Sequence, residues 1–181
     1  VVRTFSRKKL EKIFDACGVG ERSFYYPYPD YKFMTTVYSD AYLPGRGELS
    51  NNLRNFDRDR MLLFDEKSAF DGIVEEGLFS VFSNSYLAVI GKPLDLKYVR
   101  YSNDRAENFR IRTEILRDDR GNRIVRKYPL TKEAEAHVRH MMEAYEKLKG
   151  RYNLTDYQIA LLRYLLFTFL SESSKLFFIL F

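Results

Sequence analysis

The spacing of apolar residues predicts alternating helices and strands in the first half of the chain. The first helix begins after Ser6, a residue type that caps helices, and its apolar positions follow the i, i+3, i+4, i+7 spacing: Leu10, Ile13, Phe14 and Cys17. Gly18 and Gly20 are placed to end this helix in the left-handed conformation. Residues 22–26 then form a predicted strand that stops at Pro27 and Pro29, because proline cannot donate to a strand ladder.

A long polar connection separates this strand from the next helix. Residues 31–60 are rich in turn formers, and we expect them to be an irregular segment, either a functional loop or an insertion. The second helix is predicted after Asp65, ends at Gly77 and has an apolar stripe made of Ala69, Phe70, Ile73 and Val74. Residues 82–90 are predicted to form the second strand, which ends at a Gly-Lys-Pro run.

Residues 93–150 predict a small antiparallel sheet followed by one long helix. The segments 97–101 and 109–115 alternate polar and apolar residues, as half-buried strands do. A turn at residues 118–122 makes a hairpin, so that residues 123–128 return antiparallel. Thr131 is the predicted cap of the helix, and its apolar face consists of Ala134, Val138, Met141, Met142, Tyr145 and Leu148.

The remaining residues are strongly apolar. Leucine periodicity predicts a helix over residues 154–170, and a second apolar run follows at 176–181. Neither run reaches the roughly 20 apolar residues of a membrane-spanning helix, and Arg163 and residues 171–175 interrupt them. A membrane-surface role would want a strongly basic polar face, which this segment lacks.

Both ends of the chain predict an excised piece of a longer protein. The chain begins Val-Val-Arg without an initiator Met and stops on large apolar residues, whereas chain termini normally lie in solvent. We therefore expect its partners to include missing N- and C-terminal parts of the same protein.

Charge and cysteine content narrow the function classes. The net charge of +5 comes from interleaved basic and acidic residues, so we expect a mixed solvated surface that tolerates phosphate-rich ligands but does not single out nucleic acid. Cys17 is the one cysteine, which excludes an internal disulfide framework and fits a reducing cytoplasm. His137 and His140 are spaced i, i+3, but no third ligand is suggested, so we predict solvent-facing histidines and no metal site.

Three segments resemble methyltransferase domains encoded in bacterial surface-polysaccharide gene clusters. They are Tyr-Pro-Tyr-Pro-Asp-Tyr-Lys at 26–32, Tyr-Ser-Asp-Ala-Tyr-Leu-Pro at 38–44 and Phe-Ser-Asn-Ser-Tyr-Leu at 82–87. Residues 5–18 are similar to the last helix of class I S-adenosylmethionine-dependent methyltransferases, and residues 24–30 and 82–92 to their sixth and seventh strands. The Gly-rich turn that binds the methyl donor in that family would lie upstream of Val1, so no donor-binding residue is assigned.

The second half of the chain resembles the N-lobe of a kinase. Its order is strand, hairpin, strand ending in Val-Arg-Lys, and amphipathic helix. The resemblance implies that Lys127 pairs nucleotide phosphates and that Glu143, or alternatively Glu135, positions it, with ATP as the cofactor. Residues 101–106 stand where a glycine-rich loop is expected but contain no glycine, and a solvated strand-end lysine is the other interpretation of Lys127.

These observations predict an α/β to α+β fold with three parts. Residues 1–92 would be the terminal helix and strands of a Rossmann-like methyltransferase sheet, 93–150 a small antiparallel sheet with one long helix, and 151–181 a truncated apolar helical tail. The predicted function is a cytoplasmic fragment, inactive alone, of an S-adenosylmethionine-dependent methyltransferase acting on a bacterial glycan or its terminal phosphate, with a kinase-like module. The alternative is a non-enzymatic carbohydrate- or nucleic-acid-binding module, whose exposed tyrosines stack on sugar rings or bases: Tyr25, Tyr26, Tyr28 and Tyr31.

Overall fold

The chain has an α+β fold. The structure, a computed structural model, describes residues 5–32, 34–49, 66–159 and 176–177. The helices in this part are α1 (Arg7–Ala16), α2 (Glu66–Glu75), α3 (Phe79–Phe82) and α4 (Ala134–Leu148). The strands are β1 (Arg22–Tyr28), β2 (Thr36–Ser39), β3 (Leu87–Ile90), β4 (Leu96–Tyr101), β5 (Ile111–Arg117), β6 (Arg123–Pro129), β7 (Asp156–Ile159) and β8 (Leu176–Phe177).

One sheet runs through the described part of the chain, in the order β7-β6-β5-β4-β2-β1-β3-β8. Its strands pair antiparallel except for β6 and β7, which are parallel. Pairing of β2 with β4 sets Thr36 opposite Arg100 and Val37 opposite Val99. The strands on both sides of the predicted boundary at residue 92 therefore belong to one sheet, and the division into domains stays a prediction.

Helices α1 to α3 cover one face of β1, β2 and β3 with an aromatic core. The cap of α1 is as predicted, because Ser6 Oγ accepts a hydrogen bond from the Lys9 amide at 3.4 Å, and Gly18 has a φ of +70° just after the helix. The buried members of this core are Leu10, Phe14, Phe24, Tyr26, Tyr38, Leu49, Phe79, Tyr86 and Ala88. Six of the nine are aromatic rings that meet edge-on or tilted, such as Tyr38 against Phe79 at 5.3 Å, an arrangement that stabilises a core beyond its buried area.

The predicted pairing of the strands at residues 22–26 and 82–90 is confirmed. Strands β1 and β3 run antiparallel, with Phe24 opposite Ala88 and Tyr25 opposite Leu87. Helix α1 packs on this pair through Leu10 and Phe14, as expected. The predicted second strand is shorter than its sequence pattern, because residues 79–82 form helix α3 and the strand begins at residue 87.

The predicted irregular loop at residues 31–60 contains a strand, which corrects the sequence prediction. Strand β2 spans Thr36–Ser39 and lies between β1 and β4. Strand β1 also continues through Pro27, which faces Val37 within the ladder. Four residues with few apolar side chains give no clear periodicity, so β2 exists because two neighbouring strands supply its hydrogen bonds. Residues 50–65, including the predicted cap Asp65, lie outside the described residues.

Helix α4 packs on the other end of the same sheet face. Helix α4 begins at Ala134, so the residue directly before it is Glu133 rather than the predicted cap Thr131, but the amide of Ala134 still donates to Thr131 Oγ1 at 3.2 Å. Ala134 and Val138 are buried against Ile111 on β5, and Ile159 on β7 packs on the same cluster. The apolar face predicted for this helix is therefore the packed face, although its last member, Leu148, is 41% exposed.

The helix predicted from residue 154 is wrong at its start, because residues 156–159 form strand β7. The strand is held by parallel pairing with β6, where Lys127 lies beside Ile159, and by the contact of Tyr157 with Tyr145 on α4 at 5.6 Å. Over these four residues, tertiary pairing overrides the helix that the sequence predicts. Residues 160–175 lie outside the described residues, and Leu176–Phe177 pair with β3 as strand β8.

Candidate functional site

An open strip of sheet separates the aromatic core from helix α4. We define the open strip as the side chains that β4, β5 and β6 present on the helix-covered face between these two clusters: Tyr98, Arg100, Thr113, Ile115 and Lys127. Register places them on one face, because residues directly opposite each other in a ladder point the same way. Arg100 is exposed and the other four are half-buried, so the strip is accessible to a ligand.

Arg100, Thr113 and Lys127 form one row across the strip. Arg100 pairs with Thr113 between β4 and β5, and Thr113 pairs with Lys127 between β5 and β6. Neighbouring strands lie roughly 4.8 Å apart, so the row spans about 10 Å from β4 to β6. Arg105 adds a third cation from the turn that follows β4 and acts electrostatically on Lys127.

Lys127 has a neutral partner and cationic neighbours. Its Nζ donates a hydrogen bond to Thr113 Oγ1 at 3.2 Å. Burial, followed by the charges of Arg105 and Arg100, lowers the pKa of the Lys127 ammonium below its usual range. Within residues 5–32, 34–49 and 66–159, no carboxylate forms an ion pair with any of these three cations. Two cations in one row and a third in the adjoining turn, with no paired carboxylate in the described residues, make a site suited to a phosphate or a carboxylate.

The two glutamates predicted to position Lys127 lie elsewhere on α4. Glu135 is 3.8 Å from Arg139 on its own helix, and Glu143 is exposed beside Arg139, Glu146 and Lys147. Neither glutamate forms an ion pair with Lys127 in the described part of the chain, so the ion pair expected for a kinase N-lobe is not formed. A role of Lys127 and Glu143 toward a nucleotide stays a prediction.

An aromatic pair borders the strip on the side of the aromatic core. Tyr98 contacts Tyr42 with ring centroids 4.8 Å apart, and the Arg123 guanidinium lies 5.7 Å from the Tyr42 ring. Burial raises the pKa of Tyr98, while the charge of Arg100 opposes this rise. The open strip therefore has cationic side chains at one end and half-buried tyrosine rings at the other. No local sequence motif could have predicted this combination.

A second polar cluster fastens α1 to the β1–β2 hairpin. The Arg7 guanidinium donates to both Asp40 oxygens at 2.7 and 3.0 Å, to Glu11 Oε1 at 3.0 Å and to the Tyr26 hydroxyl. Tyr26 OH in turn donates to Asp40 Oδ1 at 2.5 Å. Each of these charged and hydroxyl groups is hydrogen-bonded within the cluster, so we interpret the cluster as a contact that stabilises the fold and not as a ligand-binding site.

A third polar cluster lies on the opposite face of the sheet. Arg112 and Glu114 on β5 are joined at 2.9 Å, with side chains only 12% and 9% exposed. The Arg112 guanidinium also lies 4.2 Å from the centroid of the Tyr128 ring. The two charges neutralise each other, although the buried Arg112 Nε has no hydrogen-bond partner among the described residues, and a largely buried pair of this kind is weak evidence for either stability or binding.

The tyrosines proposed for ring stacking in the alternative function do not form an exposed row, which corrects the prediction. Tyr25 is 4% exposed and Tyr26 is fully buried. They point inward because both faces of β1 are covered, and the Tyr25 hydroxyl donates to the Leu96 carbonyl at 3.1 Å. Tyr28 and Tyr31 are half-buried.

The predicted histidines lie on α4 and are exposed. His137 contacts the Phe109 ring at 4.8 Å, and His140 lies one turn further along the helix. In the described part of the chain, no three His, Cys, Asp or Glu side chains gather as a metal site would require.

None of the helices in the described ranges is long and apolar enough to cross a membrane.

Comparison of the chain with known proteins identifies no family. The chain matches no protein-family model, no curated protein and no solved structure.

Proposed function

We propose that this chain is the acceptor-binding part of a cytoplasmic, S-adenosylmethionine-dependent methyltransferase that acts on a bacterial glycan or its terminal phosphate. In this proposal the order α1, β1, β3 is the Rossmann-like edge of the methyltransferase sheet, and the donor is bound by another part of a longer protein. The substrate class comes from the segment likeness at residues 26–32, 38–44 and 82–87. The open strip receives the phosphorylated end of the acceptor.

One observation carries the proposal: the row of Arg100, Thr113 and Lys127, together with Arg105, is accessible and has no internal anion among the described residues. A guanidinium group can donate two parallel hydrogen bonds to two oxygens of one phosphate, and a lysine ammonium adds a point charge. The neighbouring Tyr98 and Tyr42 rings offer apolar surface of the kind that contacts sugar rings. A sugar phosphate combines the two chemistries that the strip presents.

Calorimetric titration of the chain at low ionic strength tests this assignment. Glucose 6-phosphate should bind and glucose should not, because the cations recognise the phosphate. Arg100→Gln and Lys127→Met should each weaken binding about tenfold or more, since each removes a charge-assisted hydrogen bond. Lys12→Met, which removes an exposed lysine on α1, is the matched control and should leave affinity unchanged.

Two outcomes would decide against the glycan-phosphate assignment. Equal affinities of the wild-type, Lys127→Met and Lys12→Met chains would show that binding is not located in the open strip. Binding of ATP that depends on Lys127, without binding of glucose 6-phosphate, would favour the kinase-like prediction for this module. In the longer protein, methyl transfer from labelled S-adenosylmethionine to a phosphorylated glycan acceptor should fall in Arg100→Gln, with a raised KM and a nearly unchanged kcat.

A further inference from the structure

Lys127 has the surroundings of a reactive lysine as well as those of a phosphate ligand. Its ammonium is half-buried on the sheet face and donates a hydrogen bond to the neutral Thr113 hydroxyl at 3.2 Å, and among the described residues the charges that act on it, those of Arg105 and Arg100, are positive. A carboxylate partner would hold the proton on the amine, and the described part of the chain places none beside it. Desolvation and like charges favour the neutral amine, and the neutral amine is the form that attacks a carbonyl.

We propose that Lys127 forms an imine with an aldehyde or ketone whose anionic group is held by Arg100 and Arg105. This activity goes beyond methyl-acceptor binding and does not depend on it. The ligand class is a small carbonyl compound that carries a phosphate or a carboxylate. Such a ligand neutralises the two guanidinium groups while it brings its carbonyl carbon to Nζ.

The step is balanced without an oxidant or a metal. The ammonium first releases a proton to water, and the free lone pair of Nζ forms a bond to the carbonyl carbon as the carbonyl π electrons move to oxygen. The two protons that the nitrogen still carries pass through water to the oxygen of the carbinolamine, which leaves as water while the nitrogen lone pair forms the C=N bond. The net change is one amine and one carbonyl giving one imine and one water, with no change in oxidation state.

The position of the row explains why this lysine would be selective. Arg100 lies two strands from Lys127 on the same face, about 10 Å across the ladder, with Thr113 between them. A ligand with its anion near Arg100 and its carbonyl near Nζ therefore has to span only a few bonds. Lys97, in contrast, donates a hydrogen bond from its ammonium group to the Leu94 carbonyl at 2.6 Å, and the Lys9 ammonium group lies over the Phe5 ring.

Reductive trapping tests the proposal on the chain as it stands. The chain is incubated with pyridoxal 5′-phosphate, which carries an aldehyde and a phosphate, then reduced with borohydride and mapped by peptide mass spectrometry. Lys127 should be labelled several-fold faster than the exposed Lys12, because burial and the neighbouring guanidinium groups favour the neutral amine of Lys127. Pyridoxal, which lacks the phosphate, should label Lys127 more slowly than pyridoxal 5′-phosphate does.

Variants separate imine formation from anion binding. Arg100→Gln with Arg105→Gln should slow labelling of Lys127 by pyridoxal 5′-phosphate and leave labelling of Lys12 unchanged. Labelling of Lys127 no faster than Lys12, or equal labelling of Lys127 by the two aldehydes, would overturn the proposal. If inorganic phosphate and glucose 6-phosphate bind but no imine is trapped at Lys127, the reactive-lysine inference fails while the proposed function stands. If an imine is trapped at Lys127 but glucose 6-phosphate does not bind, the reactive-lysine inference stands while the proposed function fails.

Discussion

At the residue scale, buried tyrosine hydroxyls make the stability of this fold sensitive to high pH. Burial raises the pKa of Tyr25 to about 12, and burial also raises the pKa of Tyr26 and Tyr38. An unfolded tyrosine ionises near a pH of about 10. Above that pH the unfolded chain loses protons that the folded chain keeps, so the free energy of unfolding should fall as pH rises from about 10 through 12.

Spectrophotometric titration of tyrosinate measures this effect. In the folded chain a part of the 14 tyrosines should ionise only together with the loss of secondary structure, whereas the urea-unfolded chain should titrate in one step. Ionisation of all tyrosines in one step near pH 10, with the circular dichroism of the folded state intact, would contradict the burial of this core.

At the element scale, the attachment of α1 to the β1–β2 hairpin depends on Asp40. Asp40→Ala removes the bidentate partner of Arg7 and leaves the buried Tyr26 hydroxyl without its acceptor. Because the Asp40 side chain is 47% exposed, we expect a loss of about 1–2 kcal/mol in the free energy of unfolding, measured by urea denaturation. Glu75→Ala breaks the more exposed pair with Arg46 and is the control, with an expected change near zero. Equal effects of the two substitutions would mean that the Arg7 cluster does not hold α1.

At the scale of the whole molecule, one sheet joins both halves of the described chain. In the described residues no Gly-rich turn directly follows a strand, and such a turn is the element that the methyltransferase likeness would require for binding S-adenosylmethionine. We therefore expect calorimetry to detect no binding of S-adenosylmethionine by this chain, while glucose 6-phosphate binds. Micromolar binding of S-adenosylmethionine would show that the donor site lies within these residues and that the proposed division of labour is wrong.

The sequence pattern was sufficient to predict the structural features that depend only on residues close together in the chain. The cap at Ser6, the left-handed Gly18, the end of α2 just before Gly77, the hairpin turn at residues 118–122 and the packed face of α4 all appear as predicted, whereas Gly20 does not adopt the predicted left-handed conformation. Each results from a local propensity or from a periodicity within a single element, so a short stretch of chain carries enough information. The antiparallel β1–β3 pair was also predicted, with the help of the methyltransferase likeness.

The pairing partners of the strands and the burial of their side chains depend on the packing of the whole chain, so the sequence pattern did not predict them. Strand β2 lies inside a predicted loop, β7 replaces the start of a predicted helix, and Tyr25 and Tyr26 are buried rather than exposed. Lys127 was chosen from the sequence, but its row with Arg100 and Thr113 was not, because three strands far apart in sequence meet only through their register. A one-residue shift in either ladder would move these side chains to opposite faces, and sheet register depends on the packing of the whole face rather than on any local pattern.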